Sequence, residues 1–198
     1  MSVSRSGTLY VVATPIGNLG DLTVRAAEIL TSVDLIAAED TRHTRILLQH
    51  IGVSKRLFSL HQHNERARSR QIIDSLLRGE NIALVSDAGT PLISDPGYLL
   101  VRDCLARGLP VLTVPGASAV TAALAVCGLP TDRFAFEGFL PSRLSARRRM
   151  LQDLAQEPRT LVFFESPRRL KATLADMVWV LGGVRRVSVL RELTKRFE

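Results

Sequence analysis

The chain of 198 residues is long enough for one large domain or two small ones, and its composition is that of a globular protein. Apolar residues make up 46% and charged residues 23%, so the chain can bury a substantial core. No apolar run approaches the roughly 20 residues of a membrane-spanning helix. The polar start at residues 1–7 lacks the layout of a signal peptide. We therefore expect a cytoplasmic protein without a membrane partner.

The net charge of +7 comes mainly from arginine, because only three of the 26 basic residues are lysines. A basic globule favours a polyanionic partner such as nucleic acid, although an arginine-rich composition can also reflect the base composition of a genome. Cys104 and Cys127 lie in apolar helical patterns and are predicted to be core residues. Because the histidines and cysteines have no metal-ligand spacing, we expect no metal.

Strand patterns alternate with helix patterns along the chain, which predicts an α/β fold with parallel strands. The predicted strands cover residues 8–13, 34–38, 56–60, 81–86 and 110–114, and then 133–139, 160–164 and 186–190. The predicted helices cover residues 24–32, 41–50, 65–78, 98–107 and 119–126, and then 146–156 and 168–181. A turn-rich junction at 127–132 divides the chain into an N-terminal domain, 1–127, and a C-terminal domain, 128–198. The second has few strands for a core of its own, so we expect it to be incomplete or to lean on a partner.

Helix starts are marked by residues that can cap the first turn. Either Asp21 or Thr23 can cap the helix at 24–32. Asn64 and Ser145 are the predicted caps of the helices that follow them.

The most informative stretch is 81–97, in which a buried strand runs into a loop rich in glycine and proline. Similar loops follow the first and fifth strands, at 14–20 and 115–118. Ligands of open α/β sheets bind outside the carboxyl ends of the strands, and none of these loops carries a cluster of basic residues. The loops therefore predict a site for a polar, weakly anionic ligand, unless they are ordinary strand-to-helix turns.

Several common signatures are absent from the sequence. The chain has neither the G-x-x-x-x-G-K-[ST] pattern of P-loop proteins nor a G-x-G-x-x-G after its first strand. The segment 116–120, GASAV, approaches a serine nucleophile elbow but lacks its final glycine. These observations disfavour a P-loop enzyme, a dehydrogenase and a serine hydrolase.

Five segments in order resemble the tetrapyrrole methylase superfamily. They are residues 9–19 (LYVVATPIGNL), 35–44 (LIAAEDTRHT), 86–97 (SDAGTPLISDPG), 115–118 (PGAS) and 136–141 (FEGFLP). Within the superfamily they are similar to bacterial enzymes that methylate a cytidine ribose 2′-hydroxyl in small-subunit (16S) ribosomal RNA. The resemblance implies two α/β domains of the tetrapyrrole methylase type, with S-adenosylmethionine in the cleft between them, and a homodimer. Members of the family continue well beyond the strand near residue 190, so we expect the second domain to be truncated here.

The resemblance also implies a set of cofactor-binding residues. They are Pro15 and Ile16 in the first loop, Asp87, Ala88, Gly89 and Thr90 in the central loop, Ser118 and Ala119 at the next helix start, and Phe164 in the second domain. The Asp87 carboxylate suits a sulfonium cation and a ribose diol, and the helix start at Ser118 offers the backbone N–H groups of a first helical turn. The structural alternatives are a turn-capping role for Asp87 and a plain helix cap for Ser118.

Attack of a ribose hydroxyl on an activated methyl group depends mainly on positioning, and a general base would assist it. The candidate bases are Glu39 and Asp40 after the second strand and His61 or His63 after the third. Glu39 is the first choice. Each of them could instead serve as a helix cap or in a salt bridge; Asp40, for example, could cap the helix at 41 or pair with Arg42.

An RNA substrate should lie over basic surface, since phosphate contacts dominate its affinity. The candidate RNA-binding residues are Arg42, Arg45, Arg147, Arg148 and Arg149. The partner would be small-subunit ribosomal RNA or the assembled small subunit, with the target nucleotide splayed out toward the site. A charge run of this kind is more commonly a solvated helix face.

Two other functions remain compatible with the sequence. One is a superfamily methylase that acts on a tetrapyrrole or a protein side chain. The other is a non-catalytic RNA-binding module that retains the fold. The arginine clusters and the segment 37–44 favour RNA methylation over both.

Overall fold

The structure, a computed structural model, describes residues 6–198, and residues 1–5 of the polar amino-terminal segment lie outside the described part. By its internal contacts the chain divides into two units. The first runs to Ala119 and includes Glu192–Glu198, and the second is Val120–Arg191. The division falls shortly before residues 127–132, where the sequence predicts a domain boundary.

The first unit is built on a parallel sheet of five strands. The strands are β1 (Leu9–Val12), β2 (Leu35–Ala38), β3 (Leu57–Ser59), β4 (Ile82–Val85) and β5 (Val111–Val114), in the order β3-β2-β4-β1-β5. The helices are α1 (Val24–Ser32), α2 (Thr41–His50), α3 (Glu65–Leu77) and α4 (Tyr98–Ala106), and α5 (Ala119–Val126) crosses the division. The predicted α/β class with parallel pairing is confirmed, and β4 is the middle strand.

Both faces of this sheet are buried, as expected for parallel strands flanked by helices. Along β4, Ile82 and Leu84 belong to one apolar cluster, and Ala83 and Val85 belong to another. Successive strand side chains point to opposite faces, so the unbroken apolar run of β4 packs against two separate layers. The strand is thereby fixed in the sheet, and the loop that follows it starts from a rigid point.

Of the three predicted caps, only the one at α1 forms a side-chain capping hydrogen bond. The Thr23 hydroxyl accepts the N–H of Ala26 at 3.1 Å and caps α1, which decides between Asp21 and Thr23. Asn64 stands at the start of α3, but its side chain makes no capping bond there. Its Oδ1 instead accepts the N–H of His61 at 2.9 Å, so the amide closes the preceding turn.

The second unit contains two parallel strands, β6 (Phe134–Phe139) and β7 (Thr160–Phe164), and two helices, α6 (Leu144–Asp153) and α7 (Leu170–Leu181). The predicted strand at 186–190 was wrong, because these residues form no ladder with any strand in residues 6–198. The prediction for α6 was also wrong at its start. The helix begins at Leu144, with Arg143 in the cap position, so Ser145 lies inside the first turn.

No helix in residues 6–198 is both long and apolar enough to cross a membrane. Over the same residues, no group of three or more potential ligand side chains is placed to hold a metal ion. Cys104 is buried and Cys127 half-buried, and both are free thiols. Burial raises the pKa of the Cys104 thiol to about 11, so this cysteine is an unreactive core residue.

Candidate functional site

The loops after β1 and β4 are joined directly at the carboxyl edge of the sheet. Thr14 and Gly89 exchange two backbone hydrogen bonds, at 2.8 and 3.0 Å, as an isolated antiparallel bridge. Because β1 and β4 are neighbours in the sheet, the two loops leave it side by side. The bridge then locks them together just beyond the strand ends.

The loop after β5 joins the same place. The Thr90 hydroxyl donates to the carbonyl oxygen of Ala117 at 3.2 Å. A methyl group added at Gly89 would lie 3.2 Å from Cγ2 of Ile16 and 3.7 Å from the oxygen of Ala117. Residues of all three loops therefore meet within van der Waals contact around Gly89, the grouping that the sequence predicts.

The central loop, residues 86–97 between β4 and α4, has an unusual backbone conformation. Gly89 has a φ of +80°, and the non-glycine residues Leu92 and Ser94 also have positive φ values, +73° and +67°. For residues with a Cβ this region is strained, and such strain persists only where the surroundings enforce it. A loop held in this way presents a fixed surface.

The far end of the central loop is clamped by a buried carboxylate. Oε1 of Glu65 accepts the backbone N–H groups of Gly97 at 3.0 Å and of Leu99 at 2.8 Å. Gly97 has a φ of +124°, and a Cβ there would lie 2.7 Å from Cδ2 of Leu84. The loop is therefore fastened at both ends, at Gly89 and at Gly97.

Asp87 lies at the start of this loop and connects it to β2 and α2. Its Oδ1 accepts the backbone N–H of Asp40 at 2.9 Å, and its Oδ2 lies 3.3 Å from Nδ1 of His43. The Asp87 side chain keeps 35% of its surface exposed. A carboxylate has about four acceptor positions, so these contacts fix its orientation and leave capacity for a ligand.

Glu39 directly follows β2, close to Asp87, and is half-buried. Burial raises the pKa of the Glu39 carboxyl, and repulsion from Asp95 and Asp87 adds to that rise, against a hydrogen bond from the Asp87 backbone that lowers it. Burial similarly raises the pKa of Asp95, opposed by a hydrogen bond from Ser86. A carboxylate with a raised pKa is a stronger proton acceptor, which is the property required of a general base.

Asp40 has a structural role at the start of α2. Its carboxylate accepts the N–H of Arg42 at 2.8 Å as the cap of α2 and binds the guanidinium of the same residue at 2.6 Å. Hydrogen bonds from Arg42 hold the pKa of the Asp40 carboxyl far below its usual value. Since a base with a lowered pKa accepts protons poorly, this geometry argues against Asp40 as the catalytic base and favours the capping alternative.

The histidines after β3 lie at the same edge of the sheet. The rings of His61 and His63 meet edge to face with centroids 5.9 Å apart. Nε2 of His61 lies 3.0 Å from the Asn64 amide, and its Nδ1 is buried without a hydrogen-bond partner in the described part of the chain. His63 is exposed and is the more accessible of the two.

The prediction that Arg147 binds RNA was wrong, because its side chain is buried. The residue is only 5% exposed, and its guanidinium bonds Asp176 at 2.6 and 2.7 Å and the carbonyl of Ser142 at 3.1 Å. Arg148 also bonds Asp176, at 2.7 Å, and stacks 4.2 Å over the Trp179 ring. Only Arg149 of this run is exposed and without a partner within residues 6–198.

The remaining predicted residues are placed as follows. Ser118 and Ala119 are half-buried at the start of α5, and Arg42 and Arg45 are exposed on α2. Phe164 ends β7 in the second unit, where its ring contacts those of Phe136 and Phe139 at centroid distances of 4.9 and 5.5 Å. Pro15 and Ala88 lie in the joined loops.

The sequence predictions missed three residues of this edge. His43 contacts Asp87, and Glu65 clamps the central loop. The charge of Asp95 helps to raise the pKa of Glu39. His43 and Asp95 lie inside the segments 35–44 and 86–97, so they could have been proposed from those segments. Glu65 binds residues more than thirty positions away, and no local pattern indicates that contact.

Comparison with known proteins identifies the family and the fold of this chain. The family of tetrapyrrole (corrin/porphyrin) methylases matches residues 8–198. A solved structure of uroporphyrin III C-methyltransferase from Thermus thermophilus shares the fold, with a TM-score of 0.62 at 20% identity over 89% of this chain and 77% of that one.

Two relatives carry the same name, ribosomal RNA small subunit methyltransferase I. The protein from Escherichia coli O157:H7 is 57% identical over 97% of this chain and 67% of its own length. The protein from Xylella fastidiosa strain Temecula1 is 57% identical over 99% of this chain and 72% of its own length. The chain therefore belongs to the tetrapyrrole (corrin/porphyrin) methylase family and, within it, to the group of ribosomal RNA small subunit methyltransferase I proteins.

Proposed function

We propose that this protein transfers a methyl group from S-adenosylmethionine to the ribose 2′-hydroxyl of a cytidine in small-subunit (16S) ribosomal RNA. The observation that carries the proposal is the 57% identity to named ribosomal RNA methyltransferases over nearly the whole chain. The joined loops at the carboxyl edge of the sheet supply a site where such a reaction could take place.

The loop geometry fits S-adenosylmethionine as the methyl donor. The missing Cβ at Gly89 leaves a cradle between Ile16 and Ala117 that any larger side chain would fill. Asp87, two residues before Gly89 in the same loop, presents a partly exposed carboxylate suited to a sulfonium charge or a ribose diol. Polar backbone groups with one carboxylate match a donor that is polar but carries no phosphate.

The residues proposed to hold the donor are Pro15, Ile16, Asp87, Ala88, Gly89, Thr90, Ser118 and Ala119. A donor contact from Phe164 stays a prediction of the sequence resemblance. When bound, the donor supplies a methyl group on a positively charged sulfur. Ile16 and Gly89 would contact its apolar surface, and Asp87 would balance its charge. The clamps at Gly89 and Gly97 hold these groups in place before binding, which lowers the entropic cost of positioning.

Glu39 is the proposed general base. In the transfer, the ribose oxygen forms a bond to the methyl carbon, the carbon–sulfur bond breaks, and its electron pair stays on sulfur. The hydroxyl proton passes to the Glu39 carboxylate, whose raised pKa favours accepting it. His63 remains a second candidate at the same edge, and its exposed ring could accept the proton directly or through water.

The RNA would approach over the exposed arginines of the same edge. Arg42 and Arg45 project from α2, shortly after Glu39. Arg149 is exposed on α6 and is proposed separately as an RNA contact of the second unit. We further propose that the protein acts as a homodimer on the ribosomal RNA or the assembled small subunit. A ribosomal substrate would place the reaction in the cytoplasm.

Methyl transfer to small ribosomal subunits tests the function directly. Subunits should be isolated from cells that lack this modification, and the full-length protein should be supplied with a donor labelled in its methyl group. We expect label at a cytidine ribose and no label on a porphyrinoid offered in its place. Label on the porphyrinoid alone would indicate a tetrapyrrole methylase. If the donor bound neither to the protein nor to its complex with RNA, the protein would be a non-catalytic RNA-binding module.

Replacing Asp87 by alanine should weaken S-adenosylmethionine binding by about tenfold or more, equivalent to about 1.4 kcal/mol. The loss would reflect removal of the carboxylate proposed to balance the sulfonium charge or to bind the ribose diol. Calorimetry on the full-length protein measures it, and Asp103→Ala on α4 is the control because it removes a carboxylate that pairs with its neighbour Arg102, away from the loops. An unchanged affinity in Asp87→Ala would remove this residue from the donor site.

A further inference from the structure

A separate pocket lies between the start of α3 and the start of α4. It is an open depression of about 350 Å³, lined by Gln62, His63, Arg66, Ala67, Arg70 and Leu99, among others. Small-molecule sites in proteins typically enclose about 300–1,000 Å³. The pocket is therefore large enough for one base or one ribose with its phosphate. Of its lining residues only His63 enters the proposed reaction, as the alternative to Glu39.

The walls of this pocket are held together by the buried Glu65 carboxylate. Glu65 is the first residue of α3, and it accepts the N–H of Leu99, in the first turn of α4, at 2.8 Å. The same oxygen accepts the N–H of Gly97 at the end of the central loop. The same carboxylate therefore connects the pocket walls to the end of the central loop.

Two arginines on the pocket wall are available to bind an anion. Arg66 and Arg70 are one helical turn apart and exposed, and neither forms an ion pair with any residue in the described part of the chain. Arg68 between them is engaged elsewhere, since it donates to Gln71 at 3.0 Å and lies 4.6 Å over the Phe58 ring. The basic charge at this pocket is therefore not neutralised by the protein itself.

The remaining lining suits the other parts of a nucleotide. Leu99 and Ala67 give an apolar surface on which a base could rest, and Gln62 and His63 offer polar groups at the rim. An apolar surface bordered by guanidinium groups is a common arrangement for single-stranded RNA, in which bases stack while arginines bind phosphates.

The pocket also lies at the carboxyl edge of the sheet, where the donor loops are. Residues 62–64 follow β3, and Leu99 follows the loop of β4, so the pocket faces the carboxyl edge that carries the donor loops. β3 and β4 are separated by one strand, β2, and two strand spacings amount to about 10 Å. A chain of RNA that reaches Asp87 could therefore place a nearby nucleotide in the pocket.

We propose that this α3–α4 pocket binds a nucleotide of the substrate RNA strand close to the target cytidine. Arg66 and Arg70 bind its phosphate, and Leu99 and Ala67 contact its base. This inference rests on the proposed function, and it adds a site for the RNA strand at some distance from the transferred methyl group.

The test is the double variant Arg66→Glu/Arg70→Glu of the full-length protein, compared with Lys55→Glu/Arg56→Glu. Both make the same change in charge, but residues 55 and 56 precede β3 and lie at the opposite edge of the sheet. We expect the pocket variant to weaken binding of a short single-stranded oligoribonucleotide by about tenfold or more. The KM for small ribosomal subunits should rise with it, while S-adenosylmethionine affinity and the control variant stay close to wild type.

A second variant tests the phosphate interaction without reversing the charge. Arg66→Ala/Arg70→Ala should lower the dependence of RNA affinity on salt, with the slope of log K against log salt falling by about 0.7 for each phosphate that the protein no longer neutralises. An unchanged KM and salt slope, or an equal loss of affinity in the Lys55→Glu/Arg56→Glu control, would overturn the pocket proposal alone. If the wild-type protein methylated no small subunits, the proposed function would fail first and the pocket proposal with it.

Discussion

Glu39→Gln is expected to lower the rate of methyl transfer by about 10²–10⁴-fold, the usual contribution of a general base. Glutamine keeps the size of the side chain but cannot accept the proton of the ribose hydroxyl. S-adenosylmethionine affinity should stay near wild type, because Glu39 is not among the residues proposed to hold the donor. Single-turnover methylation of small subunits measures the rate, and Glu28→Gln, an exposed change on α1, is the control.

The pH dependence distinguishes a base from a merely structural residue. Burial and the repulsion of Asp95 and Asp87 raise the pKa of Glu39 above its ordinary 4.5, so the carboxylate takes up a proton as the pH falls through that raised value. The wild-type rate should therefore decline on the acid side, and Glu39→Gln should lack this decline. A Glu39→Gln protein that retains the full rate and the wild-type pH profile would exclude Glu39 as the base and leave His63.

Asp176→Ala is expected to destabilise the second unit by about 3–5 kcal/mol, since it leaves Arg147 buried without its partner. Arg147 and Asp176 are 6% and 3% exposed in their side chains, and the pair joins α6 to α7. Urea unfolding followed by the fluorescence of Trp179 measures the change, because this single tryptophan lies on α7 under Arg148. Asp153→Ala, an exposed carboxylate on α6, is the control.

The same pair makes the stability depend on pH in a defined direction. Burial alone would raise the pKa of Asp176, but the hydrogen bonds from Arg148 and Arg147 outweigh it and hold the pKa below the ordinary 3.8. The pair therefore stabilises the folded state fully at pH values above 3.8, the ordinary pKa of the carboxyl. This stabilisation is lost as the pH falls through the lowered pKa of Asp176. If Asp176→Ala unfolds at the wild-type urea concentration, the buried pair does not stabilise the second unit.

The elements that sequence could predict are those fixed by local pattern. The alternation of apolar strands and amphipathic helices indicated the parallel α/β class, and α1, α2, α5 and β7 agree with their predicted bounds. The meeting of Ile16, Gly89 and Thr90 with the loop before Ser118 also follows from a simple rule, because parallel strands bring the loops at their carboxyl ends to one edge.

Other features depend on contacts that no local pattern reveals. Arg147 stands in a run of three arginines that suggests a solvated face, yet its partner Asp176 lies 29 residues away on another helix. The apolar alternation at 186–190 predicts a strand, but a strand also requires a neighbour to share its hydrogen bonds. Asp40 and Glu39 are adjacent and chemically alike, and only the position of Arg42 and the surrounding acids separates a helix cap from a candidate base.

A structure of the full-length protein with S-adenosylhomocysteine, the product of the donor, would test the central claim most directly. We predict that the nucleoside contacts the loops of Ile16, Gly89 and Ser118, with a polar group of the product within hydrogen-bond distance of the Asp87 carboxylate. Binding at any place that leaves the cradle around Gly89 empty would contradict the assignment of these joined loops as the methyl-donor site.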